Sequence, residues 1–226
     1  PLTIFDDISK LAAGNALTVN KTEVKQFEYY DIDYQTDTSK RERDWVKIIP
    51  GELEKAILNS TGSLPEGKTG CFLSGGTDSS SIVGLYTKLL GKSVNTFSIG
   101  FDEEGYNELH YADIAVKQYK ALQKDYYVKP DDVLSLISSL PHIYDEPFGN
   151  ASVIPAFFCS KVAKESGMDF LLGGDGGDEI FGGNERYVMN LVFEKYFSLP
   201  RFFRKSILEP TLKALPSSGL FYRAKR

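Results

Sequence analysis

Twice in this chain a short apolar run breaks directly into glycines: CFLSGG at 71–76 and DFLLGG at 169–174. Apolar runs of this length, closed by glycine, read as buried strands. The first is followed by Ile82, Leu85, Tyr86 and Leu89 at helical spacing, with Gly91 placed as a C-terminal cap. SVNTFSIGF then reads as a strand, and Asn107 caps a helix bearing Leu109, Ala112, Val116 and Tyr119. DYYV is the next strand, followed by an acidic helix start at Asp131-Asp132 and a helix with Val133, Leu136, Ile137 and Leu140. AFFCSKVAKE forms a further helix that stops near Gly167. This rhythm predicts an α/β fold: a mostly parallel sheet with right-handed crossovers and helices on both faces. After residue 185 the pattern is helical only, through ERYVMNLVFEKYF, with no closing element in view.

The stretch before this alternation is different. ALTV at 16–19, FEYYDIDY and the charged SKRERD predict a hairpin or edge strand plus a linker. From Pro50 a helix is expected, with Leu53, Ala56, Ile57 and Ser60 on one face. The expected division is an approach segment over 1–49 and an α/β domain over 50–226.

Composition narrows the function classes. A net charge of −5 disfavours a nucleic-acid partner, which needs a basic face. Arg201, Arg204, Lys205, Lys213, Arg223, Lys225 and Arg226 are scattered, and read as a solvated surface or one facing further protein. The two cysteines, Cys71 and Cys159, lie in apolar runs and are expected to be buried free thiols, which fits a reducing cytoplasm. With two histidines and no CxxC pair, zinc is not expected. No run approaches a membrane span, so no membrane partner is expected.

Two phosphate-loop patterns compete within residues 61–81. GSLPEGKT, Gly62 to Thr69, matches GxxxxGK[ST] in full. That loop works when it joins a strand to a helix, with backbone amides and a lysine turned on the phosphates. Here the order is reversed, helix before and strand after, and Pro65 removes an amide from the loop. An exposed turn leading into a strand is the better reading of Lys68 and Thr69. SGGTDSS, Ser74 to Ser80, has the required context. Gly75 and Gly76 allow close backbone approach, the helix start supplies amides, and Ser74, Ser79 and Ser80 add hydroxyls. It lacks a cation, and Asp78 would repel phosphate unless it held magnesium. The plain alternative is that Asp78 and the serines cap a helix after a glycine turn. The second loop, GGDGGDEIFGG at 173–183, tips the balance. It sets six glycines and three carboxylates at a strand end. In open parallel sheets ligands bind beyond the carboxyl ends of strands, so Asp175, Asp178 and Glu179 are expected at the same crevice as Asp78.

These residues carry a resemblance. SGGTDSS resembles the PP-loop, SGGxDSS, of the ATP pyrophosphatases, which cleave ATP between the α and β phosphates. GGDGGDEIFGG is similar to the second signature of the asparagine synthetase branch, and YDEPF at 144–148 with Ile154-Pro155 resembles the segment between the two. The resemblance is strong over about 50–187. It implies a ligase in which a carboxylate attacks the α phosphate of ATP, pyrophosphate leaves, and ammonia displaces AMP to form an amide. It further implies ATP and Mg2+, with Asp78 and Asp178 as the metal ligands and Ser74 to Ser80 around pyrophosphate. Leu73, Ile99, Gly100, Gly173 and Gly174 would line the adenine and ribose, while Asp175, Asp178 and Glu179 fall at catalytic positions.

Three departures qualify what the resemblance implies. The family's N-terminal glutaminase cysteine has no counterpart near Pro1, so ammonia is expected from a glutaminase domain outside this chain or from solution. Gly173 stands where the second signature has serine. The family's downstream basic residues are expected to lie beyond the end of this chain, so the isolated fragment is expected to be weak or inactive. Aspartate is the expected acceptor. The arginine-containing version of the YDEPFGNASVIP segment is absent, however, and Asn150 and Ser152 stand there instead. A sugar or natural-product carboxylate, a β-lactam-forming ligase, or a nucleotide-binding domain without turnover are the alternatives. The oligomeric state is left open.

Overall fold

The computed structural model describes residues 2–102, 107–147 and 149–214. The chain divides into two compact units, Pro1–Gly174 and Asp175–Arg226.

The first unit opens with an antiparallel hairpin, β1 (Asn15–Val19) and β2 (Val24–Glu28), in the stretch expected to hold one. Helix α1 runs over Glu42–Thr61, so it starts two turns before Pro50, the expected first residue. Glu42, Arg43 and Asp44 of the charged run read as linker lie in its first turn. Glu42 and Asp44 there complement the helix dipole, and the Asp44 carboxylate accepts the Arg41 amide at 3.0 Å. Pro50 removes one internal hydrogen bond, which a helix of 20 residues tolerates.

The sheet comprises β3 (Thr69–Phe72), β4 (Asn95–Phe101), β5 (Leu122–Val128) and β6 (Phe170–Leu172). Its order is β5-β4-β3-β6, and every pair is parallel. Helices α2 (Thr77–Leu90) and α3 (Leu109–Tyr119) connect β3 to β4 and β4 to β5. α4 (Pro130–Ile137), α5 (Leu140–Ile143) and α6 (Val153–Glu165) lie between β5 and β6. Leu140 therefore belongs to a separate short helix rather than to the one bearing Val133, yet it still packs against Val128, Leu136 and Phe158.

Side-chain alternation along the strands separates two cores. Cys71 and Leu73 join Ile57, Val83, Tyr86, Ala112 and Ala115 from α1, α2 and α3. Phe97 packs against Cys159, Ala163 and Met168, at and just after α6, on the opposite face. Helices thus cover both faces, as the strand–helix rhythm predicts. Both cysteines are buried free thiols. Burial pushes the Cys71 and Cys159 thiols up to about 12, with Asp125 adding to the rise at Cys159.

The second unit is helical: α7 (Gly177–Phe181), α8 (Glu185–Ser198), then α9 (Arg201–Phe203), a π turn over Arg204–Leu208, and α10 (Glu209–Ala214). The Asn184 side chain caps α8 by accepting the Arg186 amide. Arg223, Lys225 and Arg226 lie outside the described residues. No helix among the described residues is long and apolar enough to cross a membrane.

Candidate functional site

Strand order reverses between β3 and β6: from β3 the chain steps outward to β4 and β5, then returns to β6 on the other side. Open α/β sheets bind ligands outside the strand carboxyl ends at such a reversal. The two glycine-rich loops leave these two strand ends.

Ser74, Gly75 and Gly76 follow β3, and Gly76 is the N-cap of α2. Gly75 has φ +87°, and a Cβ there would lie 2.4 Å from the Ala112 amide nitrogen and 2.5 Å from Tyr111 Cβ. The first turn of α3 therefore backs the loop, and only glycine fits. No side chain caps α2. Among the described residues the amides of Thr77, Asp78 and Ser79 have no protein acceptor, as at the start of any helix. Ser79 is buried, at 8% exposure, and hydrogen-bonded within the loop. Ser74 is exposed, Asp78 and Ser80 half-buried.

The second loop meets the first directly. A Cβ on Gly174 would lie 2.8 Å from the Ser79 amide nitrogen and 2.9 Å from Asp78 Cβ. The backbone after β6 thus rests on the first turn of α2, and Gly173 beside it is exposed. Leu73 is almost fully buried in the core; its amide donates to the Phe97 carbonyl at 3.0 Å, and its carbonyl accepts the Ser98 hydroxyl at 2.7 Å. Ile99 packs into the α6 side of the core, and Gly100 is buried where a Cβ would meet Leu109 and Tyr127 at 2.7 and 2.8 Å. These three line the strand ends through backbone rather than through free side chains.

Asp175, Asp178 and Glu179 lie in the second unit, all exposed. Gly176 at φ +87° and Gly182 at φ +67° bracket α7. A Cβ on Gly183 would lie 2.4 Å from Asp178 Oδ1, so this glycine leaves the carboxylate its space. Among the described residues neither Asp78 nor Asp178 has a hydrogen-bonded or ion-paired side-chain partner. Uncompensated carboxylates of this kind suit a hard cation. No group of three or more potential metal-ligating side chains occurs among the described residues.

Lys68 is occupied elsewhere. It leads into β3, donates to the Gly167 carbonyl at 3.0 Å and lies 3.8 Å from Asp169. Thr69 is buried in β3. GSLPEGKT is therefore a turn between α1 and β3 with its lysine bound to the far end of the sheet, as its reversed context predicts.

In the intervening segment Glu146 pairs with Lys10 of the N-terminal stretch. The Asn150 side chain accepts the Ser152 amide at 3.0 Å in a turn that opens α6. Phe148 lies outside the described residues. Two residues escaped the sequence reading. Thr77, the variable position of the loop motif, opens α2 with an exposed hydroxyl, and its hydroxyl chemistry was the available signal. Ser98 is buried at 3% exposure and ties β4 to the start of the loop; a lone serine in an apolar strand carried no comparable signal.

The family model for asparagine synthase matches residues 64–224. A protein of Methanocaldococcus jannaschii named "Putative asparagine synthetase 2", glutamine-hydrolysing, is 33% identical over 210 residues, covering 90% of this chain and 39% of that protein. Asparagine synthetase 1 of Bacillus subtilis, also glutamine-hydrolysing by name, is 24% identical over 209 residues, covering 92% of this chain and 32% of its own length. Amidase chry2 of Gibberella zeae is 25% identical over 220 residues, covering 88% and 32% respectively. The chain thus spans between 32% and 39% of the length of these relatives.

Proposed function

The chain belongs to the asparagine synthase family, and on that premise we propose that it adenylates a carboxylate with ATP and converts the product to an amide. The observation that supports this best is the seat of Gly174 on the first turn of α2, which joins two glycine-rich loops at the reversal of strand order. The loop from Ser74 to Ser80, with the free amides of α2, receives the β and γ phosphates and stabilises pyrophosphate as it leaves. Leu73, Ile99, Gly100, Gly173 and Gly174 border the adenine and ribose. Asp175 and Glu179 serve the acyl-adenylate end of the reaction. Asp78 and Asp178 are the proposed magnesium ligands, and the ion when bound neutralises charge on the departing pyrophosphate.

Aspartate is the proposed acceptor, with asparagine as product. Ammonia is proposed to come from glutamine through a glutaminase domain, in line with the glutamine-hydrolysing relatives. The two buried free thiols accord with a reducing, cytoplasmic setting. A second reading, amidation of a different small carboxylate, draws support from Asn150 and Ser152, which form a turn in the segment that lacks the arginine-containing version. The deciding experiment supplies magnesium-ATP, ammonia and single candidate acids to the full-length protein and measures pyrophosphate. Release that depends on aspartate is expected. Release with another acid alone transfers the assignment to that acid, and ATP binding without release under any acid removes the ligase reading.

A further inference from the structure

The motif treats its serines as equivalent phosphate donors, but their hydrogen bonds divide them. A serine hydroxyl has one proton to donate and two lone pairs to accept with. The Ser79 hydroxyl donates to the Gly76 carbonyl at 3.3 Å. It accepts the Ser74 amide at 3.3 Å, and the Ser74 and Ser79 oxygens lie 3.0 Å apart. With its proton on Gly76, Ser79 accepts the Ser74 proton, and its capacity is full. The Ser74 oxygen in turn accepts the Gly76 amide at 3.3 Å. In that arrangement the Ser74 proton is spent on Ser79 rather than on an incoming anion. Ser79 is also buried, with the Gly174 backbone on its amide. By contrast, the hydroxyls of Thr77 and Ser80 have no protein partner among the described residues.

From this we infer that Ser79 is a positioning residue that braces the loop through Ser74 and Gly76, and that Thr77 and Ser80 are the hydroxyl donors to pyrophosphate. The donor half rests on the pyrophosphate-binding reading above; the brace does not. Ser79 holds the strand end and the helix start in the curve that leaves the α2 amides unpaired, so its loss acts on ligand through the backbone.

Two measurements on the protein test this. The first is ligand-free amide hydrogen exchange at Ser74 and Gly76. Ser79→Ala is expected to speed exchange at both, Ser80→Ala at neither, and Ser79→Thr is expected to restore the protection. The second is calorimetric affinity for inorganic pyrophosphate with magnesium. Ser80→Ala is expected to weaken binding about tenfold, the scale of one hydrogen bond to a charged group. Ser79→Ala also weakens it, but adding Ser74→Ala to Ser79→Ala costs no more than about twofold further, because both remove the same brace. Unchanged exchange in Ser79→Ala, or losses from Ser74→Ala and Ser79→Ala that multiply as for independent donors, overturns the brace. Full affinity in Ser80→Ala overturns the donor assignment. Absence of any pyrophosphate binding by the wild type removes the donor half together with the function proposed above, while the exchange measurement still decides the brace.

Discussion

Asp78 is the residue on which the two phosphate-loop patterns part company. Its carboxylate stands at the start of α2 without a protein partner among the described residues, a position that repels phosphate until a cation lies between. Asp78→Ala is therefore predicted to abolish magnesium-ATP binding in a calorimetric titration. Lys68→Ala is predicted to leave it intact, because Lys68 serves the Gly167 carbonyl. Elsewhere at this scale, Thr96 is fully buried and its hydroxyl oxygen has no partner among the described residues. Thr96→Val keeps the shape and removes the unmet group, so urea unfolding is predicted to show a gain of about 1 kcal/mol. The buried thiols make a pH prediction. Folding holds Cys71 near 12 against an ordinary value of 9.0, so the neutral thiol is favoured in the folded state. That contribution is complete below pH 9 and is lost as pH rises from there toward 12. The stability difference between wild type and Cys71→Ala is predicted to narrow across that window in thermal melts.

Among the elements, α2 is braced from two sides, by the first turn of α3 at Gly75 and by the backbone after β6 at Gly174. Gly174→Ala is predicted to push these loops apart, since a Cβ would lie within 3 Å of backbone and side-chain atoms of Ser79 and Asp78. A stability cost of about 1–3 kcal/mol by urea unfolding, with a matching loss of pyrophosphate affinity, is expected for overpacking of this kind. The loops themselves were legible in the sequence because strand, glycine and helix start are neighbours along the chain. The contact of Gly174 with Ser79 was not, since it depends on β6 lying beside β3. The early start of α1 was missed for a related reason. Charge at 40–44 and proline at 50 argue locally for a linker and a break, yet the acidic residues suit a helix start and Pro50 interrupts only one bond. Ser79 illustrates the limit of a motif: the pattern names the residue, while its hydrogen bonds decide what it can do.

For the molecule as a whole, a parallel sheet covered on both faces followed from the repeated strand–helix rhythm, but the order β5-β4-β3-β6 did not. Right-handed crossovers admit other orders, and the return of the chain to β6 is fixed by the packing of α6 against Phe97 and its neighbours. That order sets the starts of both glycine loops at one reversal, and the proposed cleavage of ATP at the α–β bond is what the resemblance of the lysine-free loop to the PP-loop implies. Phosphorus NMR of the products formed from magnesium-ATP, ammonia and aspartate tests this most directly. AMP and pyrophosphate in equal amounts are predicted, whereas ADP and orthophosphate as the products would contradict it.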